Sequence, residues 1–270
     1  MTTAAIVVTF HTGGRLKDCL HVLRADPEVD AIIIVDNGNP AAMAAWLDRF
    51  GTQDESVLVR RPGGNLGFGR ACNLGADATK ADHLLFLNPD TMLRRGSVSA
   101  LLAAARDARA PWIVGGKIFD IDGREQRGGR RETLTLARAL GLAKWGLHED
   151  PPPDGPIDVG AVSGAFFLMD RAQFQSIGGF DPGYFLHVED VDLCRRARET
   201  GGSVIYQPAA AALHFGATSG AARMTVERHK AAGLARYFRK FANGPLERAA
   251  AWALTPAIYA ALLGRAALRG

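Results

Sequence analysis

The chain lacks the means for a disulfide framework. Its three cysteines, Cys19, Cys72 and Cys194, are odd in number, far apart and without CxxC spacing, which also argues against a zinc site. A reducing compartment, the cytoplasm, is the expected location. A secretory leader is not expected either: residues 1–10 carry no basic n-region and too short an apolar stretch, so they read as a first strand. No uninterrupted apolar run approaches the roughly 20 residues that span a bilayer. The nucleotide fingerprints are also absent. Cys72 stands where a third glycine would complete GxGxxG after Gly67 and Gly69, and Gly64-Asn-Leu-Gly-Phe-Gly69 is followed by Arg70 and Ala71 instead of the lysine and hydroxyl residue of a P-loop. Neither a Rossmann oxidoreductase nor a P-loop nucleoside-triphosphatase has motif support.

What is present suits an ordinary globular protein. At 270 residues and 47% hydrophobic content, the chain can bury a full core. The net charge of +4 is uneven: residues 221–270 hold 9 Lys/Arg against 2 Asp/Glu, leaving 23 against 26 for residues 1–220. The basic tail also contains the apolar segment 249–263, which is broken by Pro256 and carries Trp252 and Tyr259 as interfacial aromatics. Two readings stand side by side. The tail attaches as a surface helix to the anionic inner face of the cell membrane without crossing it, or it packs on the domain or on a second subunit as a homodimer contact. Nucleic acid is not an expected partner, because the basic residues are not interleaved with aromatics.

Along the chain, continuous apolar runs alternate with segments of helical period, predicting an α/β fold with a mostly parallel sheet and helices on both faces. Strands are expected at 5–9, 31–35, 57–59 and 83–87, and helices at 16–23, 41–50 and 69–78. Ligands in such sheets bind beyond the carboxyl ends of the strands, where Thr9, Asp36, Asn37, Asn88 and Asp90 stand. Residues 120–157, rich in Gly, Arg, Asp and Pro, predict a long excursion or mobile loop. A late strand at 204–206 is expected to end at Pro208. One domain, residues 1–220, carries a helical C-terminal appendage, residues 221–270.

The chemistry-bearing pieces are three. Glu189, Asp190 and Asp192 enter a helix expected from about 190 to 200, where acids complement the dipole or serve as a base. Neighbours on a helix diverge by about 100°, so Glu189 and Asp190 cannot face one reacting atom. Asn88-Pro-Asp90 after a buried strand is a metal or diphosphate candidate for Mg²⁺ or Mn²⁺, with substrate oxygens completing the shell. His214 follows downstream, as a core histidine or a ligand. The glycine loop bearing Asn65, Gly67, Arg70 and Asn73 reads as ligand-facing.

Together these residues resemble the inverting glycosyltransferases of family 2, with a GT-A fold, in a rhamnosyltransferase-like subgroup. The matching pieces are Ile6-Val-Val-Thr9, Ile34-Val-Asp-Asn37, Asn65-Leu-Gly-Phe68, Asn73-Leu-Gly75, Leu87-Asn-Pro-Asp-Thr91, Val162-Ser-Gly-Ala165, Gly178-Gly-Phe-Asp181, the 184–193 segment and His214. The resemblance implies that Thr9 and Asp36 read the nucleotide base, Asp90 serves diphosphate and metal, and His214 is a further ligand. It assigns base work to Asp190, with Glu189 orienting the acceptor or bracing the helix. Ser163 and Gly164 are expected to line the sugar or acceptor pocket. Asn88 departs from the acidic first position of an Asp-x-Asp motif. The implied donor is a nucleotide sugar, dTDP-rhamnose first, and the acceptor a glycan or lipid-linked glycan. A non-catalytic nucleotide-sugar-binding protein on the same fold is the alternative.

Overall fold

Continuous apolar runs become strands buried on both faces. The computed structural model describes residues 1–139, 142–216 and 220–268. Its first half alternates β1 (Thr3–Thr9), α1 (Gly14–Ala25), β2 (Ala31–Asp36), α2 (Ala41–Thr52), β3 (Val57–Arg60), α3 (Phe68–Asp77) and β4 (His83–Leu87). Strands β3, β2, β1 and β4 lie parallel in that spatial order. Alternate side chains feed two cores, as strand geometry requires: Ile6, Val8, Ile33, Val35 and Phe86 on one face, and Val7, Ile32, Ile34, Leu85 and Leu87 on the other.

The second half turns the sheet mixed. It comprises β5 (Thr91–Leu93), α4 (Ser97–Ala105), β6 (Ile113–Phe119), β7 (Arg130–Arg131), α5 (Leu136–Ala139), β8 (Ile157–Asp158), β9 (Ala161–Val162), β10 (Phe166–Asp170), α6 (Arg171–Ser176), α7 (Glu189–Glu199) and β11 (Val204–His214). Strand β10 inserts antiparallel between β4 and β6, and β11 runs parallel to β6 with β5 and β8 antiparallel on it. Contrary to expectation, β11 does not stop at Pro208. The register shifts between Gln207 and Ala211, so the proline sits in a bulge where no ladder hydrogen bond is asked of it. The 120–157 excursion is not simply a loop, since its β7 pairs with β9 as a second small sheet.

The C-terminal residues are knitted into the domain. Helix α8 (Arg223–Lys240) buries Ala231, Leu234 and Tyr237 in the same core as α7. Helix α9 (Gly244–Leu268) buries Ala251, Ile258, Leu262 and Ala266 and exposes Leu246 and Trp252. It runs unbroken through Pro256 for 25 residues, and the Thr255 hydroxyl donates to the Ala251 carbonyl at 2.9 Å in the turn where proline offers no N–H. The expectation that Pro256 interrupts the segment is thereby corrected. By length and composition alone α9 could cross a membrane.

Two carboxylates lock α8 in place. Asp192 of α7, 0% exposed, accepts from Tyr184 Oη, Arg196 Nε and Lys240 Nζ. It is thus a buried tie between helices, more than the exposed dipole complement its position suggests. Asp181 accepts from Arg236 Nη2 at 2.9 Å and Lys240 Nζ at 2.7 Å. Burial opposes its ionisation, but Lys240, the Gly183 N–H and Arg236 outweigh it and bring the carboxyl down to about 2. A depressed carboxyl contributes stability above its unfolded pKa, and the contribution disappears as pH falls through the folded value, here between about 4 and about 2. Asp181→Asn is expected to lower the melting temperature at neutral pH and to flatten its fall across that window. Parallel acid profiles for variant and parent would rule this lock out as a source of acid sensitivity.

Candidate active site

The carboxyl ends of β1, β2 and β4 and the end of β11 meet at one edge of the sheet. Asp90 follows β4 by a tight turn, and His214 closes β11 opposite Thr91. His214 Nε2 lies 3.4 Å from Asp90 Oδ1 and 3.2 Å from Asn88 Nδ2. On the other side of the ring, His214 Nδ1 meets Gln126 Oε1 at 2.7 Å, while Gln126 Nε2 donates to the His214 carbonyl at 2.6 Å. That second bond orients the Gln126 amide so that its oxygen accepts from Nδ1–H. The Asn88 amide and the Asp90 carboxylate thus share the Nε2 side of the ring.

This corner fits a divalent cation completed by substrate. A carboxylate, an imidazole nitrogen and an adjacent amide make a short donor set of the kind Mg²⁺ or Mn²⁺ uses when phosphate oxygens supply the rest. Among the described residues no group of three or more His, Cys, Asp or Glu forms a dedicated cage. Gln126 is the orienting partner that metal-ligating histidines ordinarily have.

The two acids at the start of α7 diverge, as the 100° step requires. Glu189 packs toward α3 near Gly69 and Cys72. Burial and the adjacent Asp190 charge push its carboxyl well above the ordinary range, and its Oε2 is buried without a partner. Asp190 turns the other way. Its Oδ2 accepts from the Gly164 N–H at 3.0 Å and from Arg131 Nη2 at 2.7 Å. Burial works against its charge, but Arg131 and the Gly164 and Val191 N–H groups prevail and hold it below the ordinary value. The helix start is strained: His187 and Val188 have φ of 68° and 73°, rare for a β-branched residue and costing on the order of 1–3 kcal/mol each.

The turn at 163–165 joins the two halves. Gly164 N–H holds Asp190, and the next residue's carbonyl, on Ala165, accepts from Asn88 N–H at 3.0 Å. A Cβ on Gly164 would stand 3.3 Å from that of Asp190. Ser163 Oγ accepts from the Ala165 N–H and so braces the turn.

The other expected site residues are engaged by neighbouring protein groups. Thr9 is fully buried, its hydroxyl engaged by Thr12 and Asn39. Asp36 receives Asn39 on Oδ1 and Arg61 Nε on Oδ2. Asn65 accepts from Asn37 Nδ2 and from Gly67 N–H. Gly67 needs its glycine for a protein contact: φ is +81°, and a Cβ would come within 2.3 Å of the Phe185 carbonyl, while the Phe68 N–H donates to that carbonyl. Arg70 Nε donates to the Pro182 carbonyl and Asn73 exchanges two bonds with the Phe180 backbone. The loop and the start of α3 thus grip the 180–185 turn that precedes α7. Sequence reasoning missed Gln126, Arg131, Asn39 and Arg61. The basic pair at 130–131, inside a stretch otherwise read as loop, was the only available signal.

Comparisons with known proteins agree with this architecture. The family described as glycosyl transferase family 2 matches residues 4–178. The chain is 30% identical over 245 residues, 79% of its length and 76% of the relative's, to N-acetylglucosaminyl-diphospho-decaprenol L-rhamnosyltransferase of Mycobacterium tuberculosis (strain CDC 1551 / Oshkosh). It is 26% identical over 221 residues, 78% of its length and 82% of the relative's, to rhamnosyltransferase WbbL of Escherichia coli (strain K12). Mannosyltransferase PcManGT from Pyrobaculum calidifontis, solved with GDP-Man and Mn²⁺, shares the fold at a TM-score of 0.65 and 13% identity, over 98% of this chain and 73% of that one. With its mixed sheet, helices on both faces and C-terminal helices, the chain belongs to glycosyl transferase family 2 and is a glycosyltransferase of the GT-A fold.

Proposed function

We propose that the chain transfers a sugar, rhamnose first among candidates, from a nucleoside diphosphate to a hydroxyl of a glycan or lipid-linked acceptor, by single displacement with inversion. One observation carries the reading. Asp190 accepts from the Gly164 N–H, and Asn88, beside the Asp90–His214 pair, donates its N–H to the carbonyl of the next residue of the same turn, Ala165. Two relatives named as rhamnosyltransferases support the sugar, and the name of the first, which specifies a diphospho-decaprenol-linked glycan, supports a lipid-linked acceptor. The donor is accordingly dTDP-rhamnose ahead of UDP- or GDP-sugars.

In this mechanism Asp190 takes the proton of the acceptor hydroxyl as that oxygen attacks the anomeric carbon. A positioned base contributes about 10²–10⁴-fold. Glu189 stays neutral and braces α7 against α3, so a single charge faces the acceptor. Asp90, His214 and the Asn88 amide would hold Mg²⁺ or Mn²⁺, which supplies Lewis-acid neutralisation of the leaving diphosphate. The 163–165 turn keeps base and diphosphate corner in fixed register. Along α9, exposed Leu246 and Trp252 accompany the basic tail, which supports a peripheral seat on the inner membrane face. The alternative occupant of that apolar face is a second copy of the chain.

Three measurements test the reading. Asp190→Asn keeps shape but not proton affinity, so turnover should fall by about 10²-fold or more with donor affinity changed only a few-fold. Near-normal turnover with labelled nucleotide sugars would end the base assignment, and no transfer by the parent chain would favour a binding protein. Gln126→Leu removes the partner of His214 Nδ1 and should weaken Mn²⁺ binding about 10–100-fold, measured by titration calorimetry with dTDP present; unchanged affinity would remove His214 from the metal site. Trp252→Glu with Leu246→Glu, both on the exposed face of α9, should abolish flotation with anionic liposomes and leave the monomer fraction unchanged. A shift from dimer to monomer without any lipid dependence would support the second-copy reading.

A further inference from the structure

The reading of Asp190 as base leaves Arg131 unexplained. This arginine lies in β7, 59 residues from Asp190 in sequence, and its side chain is nearly buried, 11% exposed against 14% for its carboxylate partner. Nη2 donates both to Asp190 Oδ2 at 2.7 Å and to the Val162 carbonyl at 2.6 Å. The second contact belongs to β9, on which Arg131 is itself paired opposite Ala161, so the guanidinium is fixed to the strand that leads into the 163–165 turn. Trp145 backs it, with the guanidinium carbon 5.3 Å from the ring centroid, and Trp145 is in turn fixed through its Nε1–H to the Glu132 carbonyl.

The placement carries a cost. Arg131 Nε is buried without a partner, and leaving a buried donor unsatisfied is unfavourable. An arginine needed only for stability would be expected to use its five donors more fully. The chemistry explains the expense. A general base must be charged when the acceptor arrives, yet Asp190 stands where burial favours its neutral form. Around it are Glu189 and Cys194 on its own helix, His187 on the preceding loop, and Lys230 and Glu227 of α8 beyond His187. Arg131 is the cation that touches it.

We propose that Arg131 is a positioning residue for the transfer reaction: it fixes the Asp190 carboxylate against the 163–165 turn and sets the pH at which that carboxylate becomes a competent base. The proposal rests on Asp190 acting as the base. An arginine so placed trades base strength for occupancy of the charged form. Removing it raises the proton affinity of Asp190, so the acid limb of the pH–rate profile moves to higher pH while the alkaline plateau falls less than it does in Asp190→Asn.

The experiment is the pH dependence of kcat/KM for the full chain and for Arg131→Met and Arg131→Lys, with melting temperature and donor affinity measured alongside. Arg131→Met should move the acid limb up by about one pH unit or more, and Arg131→Lys, which restores the charge without the fork geometry, should bring it most of the way back. Donor affinity should stay within a few-fold in both. An unmoved acid limb in Arg131→Met, or an equal displacement in Arg131→Lys, overturns the proposal, whatever happens to the rate. If Arg131→Met does not fold, Arg131→Lys alone decides: an intact limb with intact donor affinity supports the proposal, and a limb displaced by a full unit overturns it. Combined with Asp190→Asn, Arg131→Met should add no further loss, and a multiplicative loss would show Arg131 acting elsewhere. Failure of the underlying reading is separately visible, because Asp190→Asn would then retain turnover and its own acid limb.

Discussion

The buried carboxylate of Asp192 is the constraint on which the site depends. A carboxylate out of reach of water is tolerable only with its charge matched and its oxygens occupied. Tyr184, Arg196 and Lys240 meet that demand from the loop before α7, from the next turn of α7 and from the end of α8. Arg196 also reaches the carbonyls of Ile177 and Gly179, so the turn at 177–184, α7 and α8 settle together. Asp190 lies two positions before this knot on the same helix, and its direction is therefore not free.

That arrangement lets two adjacent acids have opposite fates. Glu189 and Asp190 share a helix end, a dipole and a peptide bond, and the environment separates them. One side of α7 offers Gly69 and Cys72, and there burial and the adjacent Asp190 charge push the carboxyl well up. The other side offers a guanidinium and the Gly164 N–H, and the acid there is held below its ordinary value against the cost of burial. The strain at His187 and Val188 fits this division, since the left-handed pair turns the chain sharply enough to aim consecutive side chains at two different layers.

Much of this was legible in the sequence, and the failures have causes. Uninterrupted runs such as Ala31-Ile-Ile-Ile-Val35 announce strands covered on both faces, and Asp90, Asp190 and His214 were singled out by residue type and position. The continuation of β11 past Pro208 was not legible, because only the register shift, a property of the paired strand, makes proline harmless there. Gly67 read as an opening for a ligand, whereas its backbone meets that of Phe185 across the fold. Arg131 and Gln126 were invisible for a related reason. Their partners stand 59 and 88 residues away, and nothing local distinguishes a side chain that will reach a distant partner from one that will face solvent.

The excursion at 120–157 sends Gln126 to His214 and Arg131 to Asp190. One stretch of chain therefore reaches both ends of the proposed site. Loops of this sort are the usual currency of divergence within an enzyme family, because they vary without disturbing the core. Here that freedom is curtailed: a change of length between residues 126 and 131 would put the imidazole and the carboxylate out of step, so new acceptor preferences have to arise around this segment and not through its wholesale exchange.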